Sequence, residues 1–320
     1  MLKPKRLRLF SFWPIYPNPL TMSEKTPLIQ TPEQLVDALT TLLDVETLDT
    51  DLYRGPRKPG GQGRVFGGQV IAQALMAASK STEPDRILHS LHAYFMRPGN
   101  EKYPVVYRVE RDYDGGSFST RRVIAQQQGV PILNMAASFH RLEAGVHHQD
   151  DIPEVVSAEE MMSEAQWRDA HLALVPEKFQ GFFLSPRPVE VRSIDPPVWL
   201  TKEKGPPFQR AWFRAVAPLN DDPLLHRAVL AYASDMQLLG TCARPHGMSW
   251  IHGDLMTASL DHALWIHDDF RADEWLLYST DSPWAGRGRG INRGLIFAQD
   301  GRLVASVAQE GLIRRIVPKD

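Results

Sequence analysis

One cysteine, Cys242, is all the thiol chemistry the 320-residue chain carries, which excludes an intramolecular disulfide framework and any metal site built from several cysteines. A lone thiol is compatible with a reducing compartment. No apolar run approaches the roughly 20 residues a helical membrane span needs. Charge of one sign is also missing. The chain has 36 Lys and Arg against 38 Asp and Glu, a formal balance of -2, so nothing in the whole-chain field favours nucleic acid and only local basic patches remain open. What is present is ordinary for a globular protein: 43% hydrophobic residues, enough for a sizeable core in two average domains or one large one.

Residues 1–30 stand apart. Lys3, Lys5, Arg6 and Arg8 precede a short apolar run that Pro14, Pro17 and Pro19 interrupt, unlike the continuous core of a secretory signal. No acid occurs before Glu24, so the leader reads either as an organellar presequence or as an extension upstream of a true start at Met22. It is expected to be disordered or loosely attached. At Thr31-Pro-Glu-Gln a capping box opens a helix with an apolar face of Leu35, Leu39, Leu42 and Leu43. A Gly-rich loop, RKPGGQGRVFGG, then opens a second helix from Gly68 to Ser79 that is apolar almost all round and should be deeply buried. No GxGxxG or GxxxxGK[ST] precedes Gly67 and Gly68, so they read as a close approach of two backbones and not as a phosphate cradle.

Strands HSLHAYFMR, YPVVYRVERDY, FSTRRVIAQQ and PILNMAASFHR follow, with turns at Asp114-Gly115-Gly116 and Gln128-Gly129. Residues 144–194 change character, acidic and rich in proline, and read as a connector with one short helix near Glu159 to Arg168. His147 and His148 lie in it without a second ligand cluster, so no metal is expected. The first pattern then returns: strand QRAWFRAVA, a helix over Leu224 to Gly240, then SLDHALWIH, EWLLYSTDSP, INRGLIFAQ and RLVASVAQEGLIRRIV. Corresponding strands recur after about 170 residues, the mark of a tandem repeat of one α+β unit. The expected divisions are residues 31–143, the connector at 144–194, and 195–320.

Asp235 sits at the margin of the apolar stripe of the Leu224–Gly240 helix, beside Ala228 and Leu239. Taken alone it is either a helix-edge acid that reaches water or a buried carboxylate that needs partners. The repeat supplies a comparison: the first helix carries no acid. Set beside Ala137-Ser138-Phe139, the last strand of the second half reads Ala308-Gln309-Glu310. Alternation puts Gln309 with Ala305, Val307 and Ile313, pointing inward, and Glu310 with Ser306 and Arg314, pointing outward. Two inward polar groups found only in the second half are more than a core needs.

The motifs GRVFGGQVIAQAL, LHSLHAYFMRPG, LHRAVLAYASD, SLDHALWIH and LVASVAQEGLIR, in this order and spacing, make the chain from Leu35 to Ile316 resemble the acyl-CoA thioesterase II family, the double hot-dog acyl-CoA thioesterases of bacterial type. The resemblance implies an α+β double hot-dog fold, two tandem units each with a long buried helix wrapped by an antiparallel sheet. It implies hydrolysis of acyl-CoA to free fatty acid and coenzyme A, without a cofactor, in a homo-oligomer (tetramer or dimer). The catalytic Asp, Thr or Ser, and Gln of the family fall on Asp235, Ser259 and Gln309. Strict alternation sets Ser259 with Asp261 and Trp265, and which face that is stays open. Gly67 and Gly68 are candidates to receive the oxyanion through their N–H groups. Arg289 and Arg293, with Arg287, Arg121 and Arg122, suit the coenzyme A phosphates or form solvated hairpins. His89, His92 and His262 read as structural or supporting groups.

Two rivals carry different chemistry. Asp221 and His226 have the spacing of a hot-dog enoyl-CoA hydratase, though the Gly-Asp and Asn-Pro of that motif are missing. A noncatalytic acyl-CoA binder is the other, and the Asp/Ser/Gln set argues against it. A Ser-His-Asp hydrolase lacks support because there is no GxSxG. With no SKL-type address at Val317-Pro318-Lys319-Asp320, the expected location is cytoplasmic.

Overall fold

Helix α2 (Gly67–Ser79) is the feature the first half is built on. Eleven of its residues, Gly68 to Ala78, are buried, including two glutamines, Gln69 and Gln73. An apolar helix of this kind gains stability only when surrounded. Gln73 is tolerated at its centre because its amide donates to the Pro56 carbonyl at 3.1 Å and its oxygen accepts from the Tyr107 hydroxyl at 2.7 Å. In the computed structural model, which describes residues 30–61, 63–197, 200 and 202–316, the surroundings are a sheet. The leader expected over 1–30 falls, but for Gln30, outside the described residues, as do Val317 to Asp320.

Helix α1 (Pro32–Leu43) has the capping box read from Thr31 and Gln34, with Thr31 Oγ1 accepting from the Gln34 N–H at 3.3 Å. The hairpin β1 (Glu46–Asp49) and β2 (Leu52–Gly55) follows it. After α2 come β3 (Ile87–Phe95), β4 (Val105–Asp114), β5 (Phe118–Gln127) and β6 (Val130–His140). The connector holds two helices, α3 (Glu164–His171) and α4 (Glu177–Leu184), where one was expected near Glu159 to Arg168. Ser163 starts α3 with a capping box to Gln166, so the helix begins later than its acidic approach suggests. Phe179 and Phe183, one turn apart, bury α4 against Val175, Leu200 and Ile251. The last stretch of the expected connector forms a strand, β7 (Val189–Ser193), that pairs with β8 (Phe208–Ala215) of the second half. Then follow α5 (Pro223–Ser234), β9 (Leu255–Ser259), β10 (Asp261–Ile266), β11 (Leu276–Gly286), β12 (Arg289–Ala298) and β13 (Leu303–Arg315).

Among the described residues thirteen strands form one antiparallel sheet in the order β1-β2-β4-β5-β6-β3-β10-β13-β12-β11-β8-β7, with β9 pairing on β13. The halves join edge to edge through β3 and β10, with Leu91 opposite Leu264. That join removes two free edges and brings α2 and α5 together on the inner side. They meet closely at Gly68, where a Cβ would run into the main-chain oxygen of Tyr232.

Three expectations are corrected. The helix expected over Leu224 to Gly240 ends at Ser234, Asp235 is its C-cap (φ -85°, ψ -9°), and the chain continues as a 3-10 segment, Leu238–His246. Its terminal carbonyls find other partners, since the Tyr278 hydroxyl donates to Ser234 O at 2.9 Å. The strand SLDHALWIH is broken at Leu260, whose N–H donates to Glu310 O while its carbonyl accepts from the Phe95 N–H, each at 2.9 Å. Ser138 is not the inward counterpart of Gln309: it is only partly buried and holds His89 Nε2 at 2.8 Å, whereas its neighbours Ala137 and Phe139 point into the core. The internal register therefore shifts by one residue, and the first half still offers an apolar side chain where Gln309 stands.

Replacing Gly68 by Ala is expected to destabilise the protein by about 1–3 kcal/mol, because the methyl group must push α2 off the Tyr232 carbonyl. Urea unfolding monitored by circular dichroism reads this. An unchanged midpoint would mean that the helices do not approach as closely as described.

Candidate active site

Helix α2 starts without a cap of its own: Phe66, at the N-cap position, supplies no side-chain hydrogen bond. A buried helix start leaves N–H groups that need acceptors. The acceptor comes from the other half of the chain. Asp235 Oδ2 takes the Gly68 N–H at 2.9 Å, so the carboxylate at the end of α5 caps the beginning of α2. The approach leaves no room for a side chain at position 67, where a Cβ would lie 2.6 Å from Asp235 Oδ2. Gly68 thus spends its N–H on Asp235, and it is Gly67 that remains as the candidate donor to an oxyanion.

The other carboxylate oxygen, Oδ1, accepts from Gln309 Nε2 at 2.7 Å, and the Ser259 hydroxyl lies near enough to the same group to lower its pKa. Gln309 is fully buried on the inner face of β13, as its alternation required. Ser259 arrives by a route alternation does not predict. The break at Leu260 resets the face, and Asp261 Oδ1 holds the break open by accepting the Glu310 N–H at 2.6 Å. Ser259 therefore turns toward Asp235, while Asp261 and Trp265 lie on the opposite face from buried His262 and Leu264.

Burial dominates the electrostatics of this group. Desolvation pushes the Asp235 carboxyl up to about 6, and the hydrogen bonds from Gln309, Gly68 and Ser259 pull it back only in part. Asp235 is then mostly ionised near neutrality yet close enough to it to accept a proton, which is the range a general base needs. Gln309 Oε1 is buried and finds no hydrogen-bond partner among the described residues. A small apolar cavity lined by Phe213, Ala233 and Met236 lies at the end of α5, although Asp235 itself is not part of its lining. The arrangement suits fixing a small polar molecule beside an apolar group.

The comparisons with known proteins identify the family of the chain and its fold. The family profile described as "Acyl-CoA thioesterase" matches residues 185–312, and that of the "Acyl-CoA thioesterase N-terminal domain" matches residues 55–140. Human acyl-coenzyme A thioesterase 8 is 40% identical over 284 residues, covering 86% of this chain and 88% of the human protein. The chain belongs to the acyl-CoA thioesterase family. Acyl-CoA thioesterase 2 of Haemophilus influenzae is 38% identical over 282 residues, covering 88% of this chain and 98% of that protein. The crystal structure of the acyl-CoA thioesterase II TesB2 from Mycobacterium marinum aligns with a TM-score of 0.70 at 39% identity, over 89% of this chain and 99% of that one. The fold is the double hot-dog, and the chain is a thioester hydrolase.

In this thioesterase the remaining candidates are dispersed. Asp221 is exposed and ion-paired to Arg271 at 2.7 Å, while His226 is buried with its Nδ1 accepting the Ala272 N–H at 3.0 Å, so the two do not form a hydratase dyad. Arg289 pairs with Glu310 at 3.0 Å and Arg293 pairs with Asp281. Both arginines are on exposed positions of β12 and satisfied by their neighbours. Arg121 is buried and structural, bonded to Ser81 Oγ at 2.9 Å and to Asp114. Among the described residues no three His, Cys, Asp or Glu side chains converge as metal ligands, and no helix is long and apolar enough to cross a membrane. The partners of Asp235 that the sequence does not announce are the Gly68 N–H and, through Gln309, His262. The GG pair at a helix start was the only signal for the first.

A raised carboxyl pKa makes a stability prediction with a definite sign. From its ordinary 3.8 up to about 6, the folded protein keeps on Asp235 a proton that the unfolded chain has lost. Native stability from this group therefore falls as the pH rises through that window, in total by on the order of 2–3 kcal/mol. Asp235→Asn removes the titration, so the variant should gain on the wild type between pH 4 and 7, as read by thermal unfolding across pH. A stability difference independent of pH would contradict the burial described.

Proposed function

We propose that the chain hydrolyses acyl-CoA thioesters by direct attack of a water molecule held by Asp235, Ser259 and Gln309. The observation that carries this is the convergence of Gln309 Nε2, at 2.7 Å, and the Gly68 N–H, at 2.9 Å, on one largely desolvated carboxylate that ionises at about 6, with Ser259 near enough to lower its pKa. A thioester carbonyl is activated enough for water to attack without a covalent enzyme intermediate. Asp235 takes the proton of the attacking water, and the carbonyl carbon becomes tetrahedral. Ser259 and the free Oε1 of Gln309 orient the same water, converting a bimolecular encounter into one of fixed geometry. The Gly67 N–H, at the positive end of α2, is assigned to the developing oxyanion. Collapse of the intermediate breaks the C–S bond and releases the coenzyme A thiol, which regains a proton from Asp235, leaving the fatty acid.

Arg289 and Arg293 lie on the outer side of the sheet and are assigned to coenzyme A phosphates only in so far as their half-buried carboxylate partners, Glu310 and Asp281, give way. The family resemblance adds a homo-oligomer, dimer or tetramer, and a cytoplasmic location to this reading.

Thiol release from a chain-length panel of acyl-CoAs tests the roles. Asp235→Asn and Gln309→Ala are each expected to lower kcat by about 10²–10⁴-fold with the fold intact. Because the base must be ionised, log kcat should rise with pH up to about 6 and then level off. Full activity in both variants, or a rate that keeps rising with unit slope to pH 8, would sink the mechanism.

A further inference from the structure

The Gln309 amide raises a question that the hydrolytic reading leaves unanswered. Its oxygen and nitrogen are alike in size, so shape alone does not decide which faces Asp235. While Asp235 is ionised its oxygens accept, and Nε2 is drawn to it at 2.7 Å. In the proposed reaction, however, Asp235 takes a proton, and a protonated carboxyl can donate. At that moment the amide gains by turning its oxygen toward Asp235, which would withdraw Oε1 from the water and undo the geometry. Something must hold the amide while its main partner changes state.

The group in place to do so is His262. It is fully buried on the inner face of β10, and its Nδ1 lies 3.3 Å from Gln309 Nε2. Its Nε2 is 2.9 Å from Ser234 Oγ, and that hydroxyl in turn donates to the Ala231 main-chain oxygen at 3.0 Å. The direction of this relay follows from its end. With the Ser234 proton spent on a carbonyl of α5, Ser234 Oγ has only lone pairs for His262, so Nε2 must carry the ring proton. Nδ1 is then an acceptor, facing the second N–H of Gln309. Burial pushes the imidazole down to about 4, so it stays neutral over the pH range in which Asp235 titrates. Both N–H groups of Gln309 are thereby committed, to Asp235 and to His262, and Oε1 is left without a partner among the described residues.

We propose that His262 is a positioning residue for hydrolysis, whose Nδ1 fixes the orientation of the Gln309 amide while Asp235 passes between its ionised and protonated forms, with Ser234 setting the required tautomer. This rests on the hydrolytic role given to Gln309 above. His262 touches neither water nor thioester in this scheme; it acts through Gln309.

Thiol release by His262→Leu, His262→Asn and Ser234→Ala, each alone and combined with Gln309→Ala, tests it. His262→Leu has no acceptor and should lower kcat by about 30-fold or more while KM shifts less than about three-fold. Asn can place an amide oxygen near the position of Nδ1, so His262→Asn should recover most of that loss. Ser234→Ala releases the tautomer and should lower kcat by about three- to ten-fold. Because all three act through one amide, none should lower kcat much further in the Gln309→Ala background. Penalties that multiply with that of Gln309→Ala, or a folded His262→Leu with unchanged kcat, would overturn the proposal. If His262→Leu fails to fold, the Ser234→Ala and His262→Asn cycles decide by the same criterion. Full activity in Gln309→Ala would instead remove the hydrolytic role of Gln309 itself, whereas an impaired Gln309→Ala beside an unaffected His262→Leu removes only the positioning role.

Discussion

The hydrogen bond from the Gly68 N–H to Asp235 Oδ2 is the constraint that the rest of the site obeys. It requires that α2 begin with no cap of its own, that position 67 carry no side chain, and that α5 stop at Ser234 so its next residue can leave the helix axis. It also places the carboxylate between two opposed helix ends. The end of α5 disfavours its negative charge, the start of α2 favours it, and the buried setting decides in favour of a raised pKa. A group in this position is a poor stabiliser and a serviceable base.

The two halves resolve the same backbone problem in different ways. Helix α5 starts with a side-chain cap within its own half, Asp222 accepting the Leu224 N–H at 2.9 Å, with Pro223 at the first position. Helix α2 ends at Lys80, whose ammonium group turns away to Asp44 at 2.8 Å and to the Val45 carbonyl. So at the related end of α2 there is a cation, and at the related start of α5 the donors are already satisfied. The approximate symmetry of the sheet is not extended to the chemistry.

Much of this was legible in the sequence, for identifiable reasons. The inward direction of Gln309 followed from alternation in β13, which is regular from Ala305 onward, past the register irregularity between Leu303 and Ala305, where the strand is paired on both sides. The burial of α2 followed from its apolar character all round. Ser259 was legible only through resemblance, because its orientation depends on a one-residue break at Leu260 that is held by Asp261 and no periodicity announces. The end of α5 was hidden for a similar reason: the apolar spacing runs on through Met236, which packs partly buried against the main core, and Leu239, which is buried in the 3-10 segment and not in a continued helix. The second connector helix had a weak signal in Phe179 and Phe183, set against frequent prolines.

Gly68 and Asp235 are separated by 167 residues, which also orders events in time. A ribosome completes α2 and all the strands around it well before Asp235 is made. Until then the first half presents an open helix start and the unpaired edge of β3, and both are closed by the same later stretch of chain. Under the proposed mechanism, the growing polypeptide therefore has no complete site until its second half docks. Contacts so distant in sequence make that docking a late event in folding. The Asp235 carboxylate finds its Gly68 partner in one half and its Gln309 partner in the other, so under the proposed mechanism the site belongs to the joined chain and to neither half.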